Sequence, residues 1–186
     1  MQGNRHIISV FGSSSVETGT SEEKIAYETG KTLAKAGFIV CNGGYGGTME
    51  ASARGAKEAG GNTIGIITKF YPTMRANRWI DQVINVDTML DRLLRLITTG
   101  DGYVVLRGGT GTLLELAASW EMMSKRVLMR KPVVAMAPFW NPVVRFLKEE
   151  LLQEGRPESS ELVTVAHTPE ECVDLLIHKL GIRYEA

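Results

Sequence analysis

Seven short runs rich in β-branched residues recur along the chain: His6–Phe11, Phe38–Cys41, Thr63–Ile67, Val83–Val86, Tyr103–Leu106, Pro132–Ala137 and Leu162–Val165. Their apolar positions are continuous rather than alternating, which predicts strands buried on both faces. Between them, longer stretches return an apolar residue every three or four positions, the period of a helix with one buried face. Strands alternating with helices in this way predict an α/β fold, a doubly wound, mostly parallel sheet with helices on both faces.

The helix starts carry their own signals. Thr20 with Glu23 makes a capping-box pattern ahead of Ile25–Ala36, and Gly37 follows as a stop. Thr168, Pro169 and Glu171 open a C-terminal helix reaching about Leu180, and Asn141-Pro142 opens another through Leu152. Further helices are expected over Thr48–Ala59, Thr88–Thr98 and Thr112–Leu128, and Gly155–Ser160 reads as a polar loop. With no repeat, low-complexity tract or linker in 186 residues, one domain over 1–186 is expected.

Composition narrows the function. At 44% hydrophobic the chain can build a core without staples, and 21 basic against 21 acidic residues leave no net field for nucleic acid or an anionic membrane. A small-molecule ligand is the expected partner. Cys41 and Cys172 belong to no CxxC or Cys/His cluster, and His6, His167 and His178 are scattered. No metal and no Ser/His/Asp triad is therefore assigned. The polar start from Met1 to His6 and the lack of an apolar run near ~20 residues fit a cytoplasmic protein without a membrane partner.

Three strands run into small residues: Gly12-Ser13-Ser14-Ser15, Gly43-Gly44-Tyr45-Gly46-Gly47-Thr48 and Gly108-Gly109-Thr110-Gly111-Thr112. One such turn serves tight strand-to-helix packing equally well. Three converging at the carboxyl edge of a parallel sheet favour an anionic ligand, because backbone N–H groups approach it closely and a helix N-terminus adds about half a positive charge. A phosphate suits this edge. The chain has no GxxxxGK(S/T), and GGYGG misses the GxGxxG spacing, which argues against a P-loop NTPase and a standard NAD site.

Glu115 stands at the mouth of the third turn, where it either faces the ligand or closes a capping box with Thr112. Arg92 lies at the border of the stripe Met89, Leu90, Leu93, Leu94, Leu96 and Ile97, about 120° from its centre, as a ligand-reaching side chain or a solvated flank. In the segment Phe70–Asp81, Arg75, Asn77, Arg78 and Trp79 are candidate base or sugar contacts, or anchors of the loop. Trp120, Met122 and Met123 read as core or dimer interface.

Taken together, ISVFGSSS, IVCNGGYGGTMEASARGAKEAGGNTIGI, the Met89-to-Arg95 segment and VVLRGGTGTLLELA resemble the LOG-like proteins, also labelled possible lysine decarboxylases, from about Ile7 to Met136. That Rossmann-like family carries a GGGxxGLMG loop and a PGGxGTxxE motif. The resemblance implies a homodimer that binds an AMP-like nucleoside 5′-monophosphate and cuts its N-glycosidic bond, with no cofactor required. It puts Glu115 on the catalytic glutamate, Arg92 on the catalytic arginine, and Gly108, Gly109, Gly111 and Thr112 on the phosphate loop. Arg107 replaces the motif's proline, Leu114 a glutamate, Gly46–Glu50 the GLMG, and Leu90 and Leu93 the polar partners of the arginine. These departures are similar to the DprA-related or molybdenum-cofactor-carrier-like branch, which implies the alternative of a non-catalytic carrier of nucleotide or molybdenum cofactor. The decarboxylase label finds no lysine in the glycine turns on which to form a Schiff base.

Overall fold

The computed structural model describes residues 6–71 and 73–182; the polar start up to Arg5 lies outside them. The elements follow in the order β1 (Ile7–Phe11), α1 (Ser21–Lys35), β2 (Ile39–Asn42), α2 (Thr48–Glu58), β3 (Thr63–Thr68), β4 (Gln82–Val86), α3 (Met89–Thr99), β5 (Gly102–Val105), α4 (Thr110–Ser124), β6 (Val133–Met136), α5 (Asn141–Gln153), α6 (Pro157–Ser160), β7 (Val163–Ala166) and α7 (Pro169–Leu180). The strands form one parallel sheet in the order β4-β3-β2-β1-β5-β6-β7. Strand order reverses between β1 and β5. Their outgoing loops diverge there and leave a crevice at the carboxyl edge.

Two cores sandwich the sheet. Alternate strand residues Phe11, Tyr103, Val105 and Val133 point to one face, where Leu96 and Ile97 of α3, Leu116 and Trp120 of α4 and Val144 of α5 cover them. Ile8, Val10, Val104 and Val134 point to the other, against Ala26 and Leu33 of α1, Ala51 and Ala56 of α2 and Leu176 of α7. Burial on both faces is why these strands read as unbroken apolar runs. β4 departs from that expectation: it lies at one edge of the sheet, and Val83 is exposed.

The caps explain where helices begin. Thr20 Oγ1 accepts from the Glu23 amide at 3.2 Å while the Glu23 carboxylate accepts from Gly19 N at 2.9 Å. Thr168 and Glu171 repeat the arrangement in front of α7, and Thr88 with Asp91 completes a full capping box for α3. Several features differ from the sequence pattern. α4 stops at Ser124 rather than Leu128, because Arg126 turns to a left-handed φ of 59° and the Val127 and Leu128 amides both return to Met122 O. Pro157 nucleates the single turn α6 inside the expected loop Gly155–Ser160. On α3 only Leu96 and Ile97 of the predicted stripe are fully buried; Met89, Leu90 and Leu94 lie exposed, since the sheet meets only the C-terminal end of that helix. Among the described residues no helix is long and apolar enough to cross a membrane.

Candidate functional site

Asn42, at the end of β2, organises the first glycine wall. Its Nδ2 donates to Met49 O at 2.8 Å and Ser52 Oγ at 3.1 Å, and its Oδ1 accepts from Gly44 N at 2.8 Å. The turn so fixed is then tied to the loop after β1: Thr48 donates to Ser13 O through its amide at 2.9 Å and its hydroxyl at 3.0 Å. Gly47 makes that approach possible. At φ 65° it lies so close that a Cβ would sit 2.4 Å from the Ser13 carbonyl oxygen.

The third turn runs straight into α4. Gly109 is the N-cap and supplies no side-chain acceptor, so the amides of the first helical turn keep their hydrogen-bonding capacity for a ligand. Because α4 begins at Thr110, Thr112 is inside the helix and Glu115 does not close a capping box with it. The Glu115 carboxylate accepts no hydrogen bond from any described residue. Half-buried in this position, it is pushed up to about 7, since burial penalises its charge more than the nearby Arg92 guanidinium favours it.

Arg92 is anchored rather than solvated. Nε donates to Ile66 O at 2.8 Å, Nη2 donates to Gly43 O at 3.0 Å, and the guanidinium lies over the Tyr45 ring at 5.2 Å. Nη1 donates to no described residue. These parts meet in a crevice of about 520 Å³, a size that suits a nucleotide-scale ligand, lined by Gly12, Ser13, Ser14, Gly109, Thr110, Gly111 and Thr112 together with Arg92 and Glu115. Gly43, Gly44, Gly46, Gly47 and Gly108 stand behind this lining and shape the loops that carry it.

The candidate base contacts fall elsewhere. Asn77 clamps the glycine turn, its Nδ2 donating to Gly44 O at 3.1 Å and Tyr45 O at 2.8 Å. Arg78 stacks on the Trp79 ring at 4.7 Å, the Trp79 carbonyl accepts from Thr63 Oγ1 at 2.6 Å, and Arg75 is exposed with Nη1 donating to Met74 O. None of the four lines the crevice, because Asn77 holds their loop down on the glycine turn after β2 and Trp79 holds it on β3. The same loop instead contributes Tyr71 and Met74, joined by Tyr45, Met49 and Met89. Tyr71 packs edge-on against Tyr45, whose hydroxyl accepts from Thr68 N and donates to Thr68 O. A tyrosine set between two glycine pairs was the one signal in the sequence for this apolar end. Trp120 and Met123 are core, with Trp120 Nε1 donating to Ser159 O at 2.7 Å, so they offer no free surface.

Comparison with known proteins fits this geometry. The model of the SLOG cluster4 family matches residues 5–173. The chain belongs to the SLOG cluster4 family. This SLOG chain is 36% identical over 99 residues to the cytokinin riboside 5′-monophosphate phosphoribohydrolase of Mycobacterium tuberculosis, an alignment that spans 52% of the chain and 53% of that enzyme. A probable enzyme of the same name from rice is 28% identical over 91% of the chain and 71% of its own length. The molybdenum cofactor binding protein of the phototrophic bacterium Rippkaea orientalis superposes with a TM-score of 0.75 at 27% identity, covering 95% of this chain and 98% of that one.

Proposed function

We propose that the crevice takes a nucleoside 5′-monophosphate and hydrolyses its N-glycosidic bond, giving free base and ribose 5-phosphate. One observation carries the reading: α4 presents an uncapped N-terminus and, within its second turn, a carboxyl group that accepts no hydrogen bond from the described residues and is pushed up to about 7, both on the wall of one crevice. Phosphate on the Thr110–Thr112 amides brings the ribose past Glu115 and leaves the base among Tyr71, Met74, Met49 and Met89. Water then adds to C1′ as the bond to the base nitrogen breaks. Ionised Glu115 accepts a proton from that water and stabilises the oxocarbenium-like ribose, and the base leaves protonated from solvent. Arg92 contributes hydrogen bonds from Nη1 and positive charge to phosphate or sugar oxygens. No cofactor enters these steps. The names of the mycobacterial and rice relatives support this substrate class.

A second reading, binding without turnover, is favoured by two facts. Arg92 is tied to the backbone at two points, as a wall-building residue would be, and a molybdenum cofactor binding protein is similar over nearly the full length of both chains. The cargo would then be a nucleotide or molybdenum cofactor, its phosphate on the same loop. In either case we infer a homodimer formed through the exposed apolar face of Leu90 and Leu94 on α3 and Leu113 and Leu114 on α4, which adjoins the crevice at Met89.

Incubation with a panel of nucleoside 5′-monophosphates, a prenylated AMP among them, separates the readings. Free base in the chromatogram supports hydrolysis; saturable binding without base supports the carrier; absence of both sinks the site itself.

A further inference from the structure

A second cavity, of about 470 Å³, lies across the Ser13–Ser15 loop from the crevice. It shares Ser13 and Ser15 with the crevice, and Gly108 lines it as Gly109 lines its neighbour. The phosphate loop therefore runs between two cavities. The cation of the second one is Arg107, which stands where the resemblance expects a proline.

Arg107 is oriented like a binding residue. Nη1 donates to Glu22, the guanidinium lies over the Phe139 ring at 5.2 Å, and its own carbonyl accepts from Ser13 N at 3.2 Å. Nε and Nη2 donate to no described residue, although 59% of the side chain is exposed. A surface ion pair contributes little stability by itself and would not hold a long side chain in one plane. Here a carboxylate and an aromatic face together fix that plane. Phe139 in turn packs edge-on against Trp140, whose Nε1 donates to Leu106 O at 2.8 Å, so the platform is rooted at the end of β5. Arg92 and Arg107 thus bracket the start of α4, each anchored on one edge and open on the other.

We propose that Arg107 and Phe139 form a second subsite, and that the preferred ligand is a pyrophosphate-linked nucleotide whose further phosphate meets the open edge of Arg107. The walls choose between phosphate chains and larger molecules. Glu17, Glu22 and Thr20 line the same cavity as acceptors. They oppose any phosphate beyond the second and suit a donor-bearing sugar or base in that place, next to Phe139. This inference rests on the phosphate-loop reading above and adds to it the half of the ligand that lies across Ser13.

Titration calorimetry with AMP, ADP and diadenosine pyrophosphate tests it on the intact protein, on Arg107→Ala, on the charge-balanced pair Arg107→Ala with Glu22→Gln, and on Phe139→Ala. The intact protein is expected to bind both pyrophosphates about tenfold tighter than AMP. Both arginine variants should lose that preference while keeping AMP affinity, and Phe139→Ala should weaken diadenosine pyrophosphate but not ADP. Equal affinity of the intact protein for AMP and the pyrophosphates overturns the subsite alone. A preference that returns in the charge-balanced pair also overturns it, because Arg107 would then only neutralise Glu22. Failure of all three ligands to bind overturns the phosphate-loop reading with it.

Discussion

Arg92 reaches its place beside the glycine turn because Gly43 has no side chain. A Cβ there would lie 1.6 Å from Nη2, the nitrogen that donates to the Gly43 carbonyl. The methyl group would also lie 2.6 Å from Met49 Sδ, and both neighbours are the far ends of flexible side chains, so Gly43→Ala should fold with a destabilisation of about 1 kcal/mol. The guanidinium is evicted all the same. AMP affinity is expected to fall about tenfold, as in Arg92→Ala, and the double variant should be no worse than either, since both remove one contact. Additive losses in calorimetry would show that Gly43 acts independently of Arg92.

Glu115 makes stability depend on pH in a definite direction. Its folded value of about 7 lies above the ordinary 4.5, so the fold favours the protonated form. That contribution is complete below about pH 4.5, is lost as pH rises through 7, and is constant above it. Glu115→Gln removes the group that must be buried charged. The variant should match the native protein at pH 4 and exceed it by about 2 kcal/mol at pH 8, a figure reduced from the full shift for solvent reached through the crevice mouth. Urea unfolding at the two pH values checks this, and an equal difference at both would contradict it.

Tyr71, on the crevice wall, is a third point of contact with experiment. Tyr71→Ala should weaken AMP binding about tenfold and leave competition by inorganic phosphate unchanged, because only the base end is touched. Trp79→Phe should change neither, since its ring is occupied by Arg78 and lines no part of the crevice.

Much of the fold was legible because seven apolar runs bounded by capping signals leave little freedom to a chain that must bury both faces of a sheet. The turns Gly12–Ser15 and Gly108–Thr112 were legible from the edge at which they had to emerge, whereas local sequence left Arg92 between ligand and solvent and Glu115 between ligand and cap, and only the family resemblance set them beside the turns. Trp79 and Tyr71 were not distinguishable in the sequence. Both are aromatics of one loop, and which of them lines the crevice depends on Asn77 bonding to Gly44 and Tyr45, contacts across 33 and 32 residues of chain. The α3 stripe misled for a related reason: periodicity marks an apolar face but not whether sheet or another protein covers it.

That distinction yields a fourth test. Trp120→Ala opens a cavity under α4 and strips a hydrogen bond from Ser159, at a cost of about 3–5 kcal/mol. Leu90→Lys with Leu114→Lys lies on the exposed face and should convert a dimer to a monomer in sedimentation with each chain still folded. A native protein that sediments as a monomer at working concentration would contradict the dimer.

The most direct measurement is product stoichiometry. The native protein is expected to convert AMP or a prenylated AMP into base and ribose 5-phosphate in equal amounts, and Glu115→Gln to bind the same nucleotide without forming either. Undiminished turnover in that folded variant, or nucleotide that stays intact with the native protein, would contradict hydrolysis at Glu115.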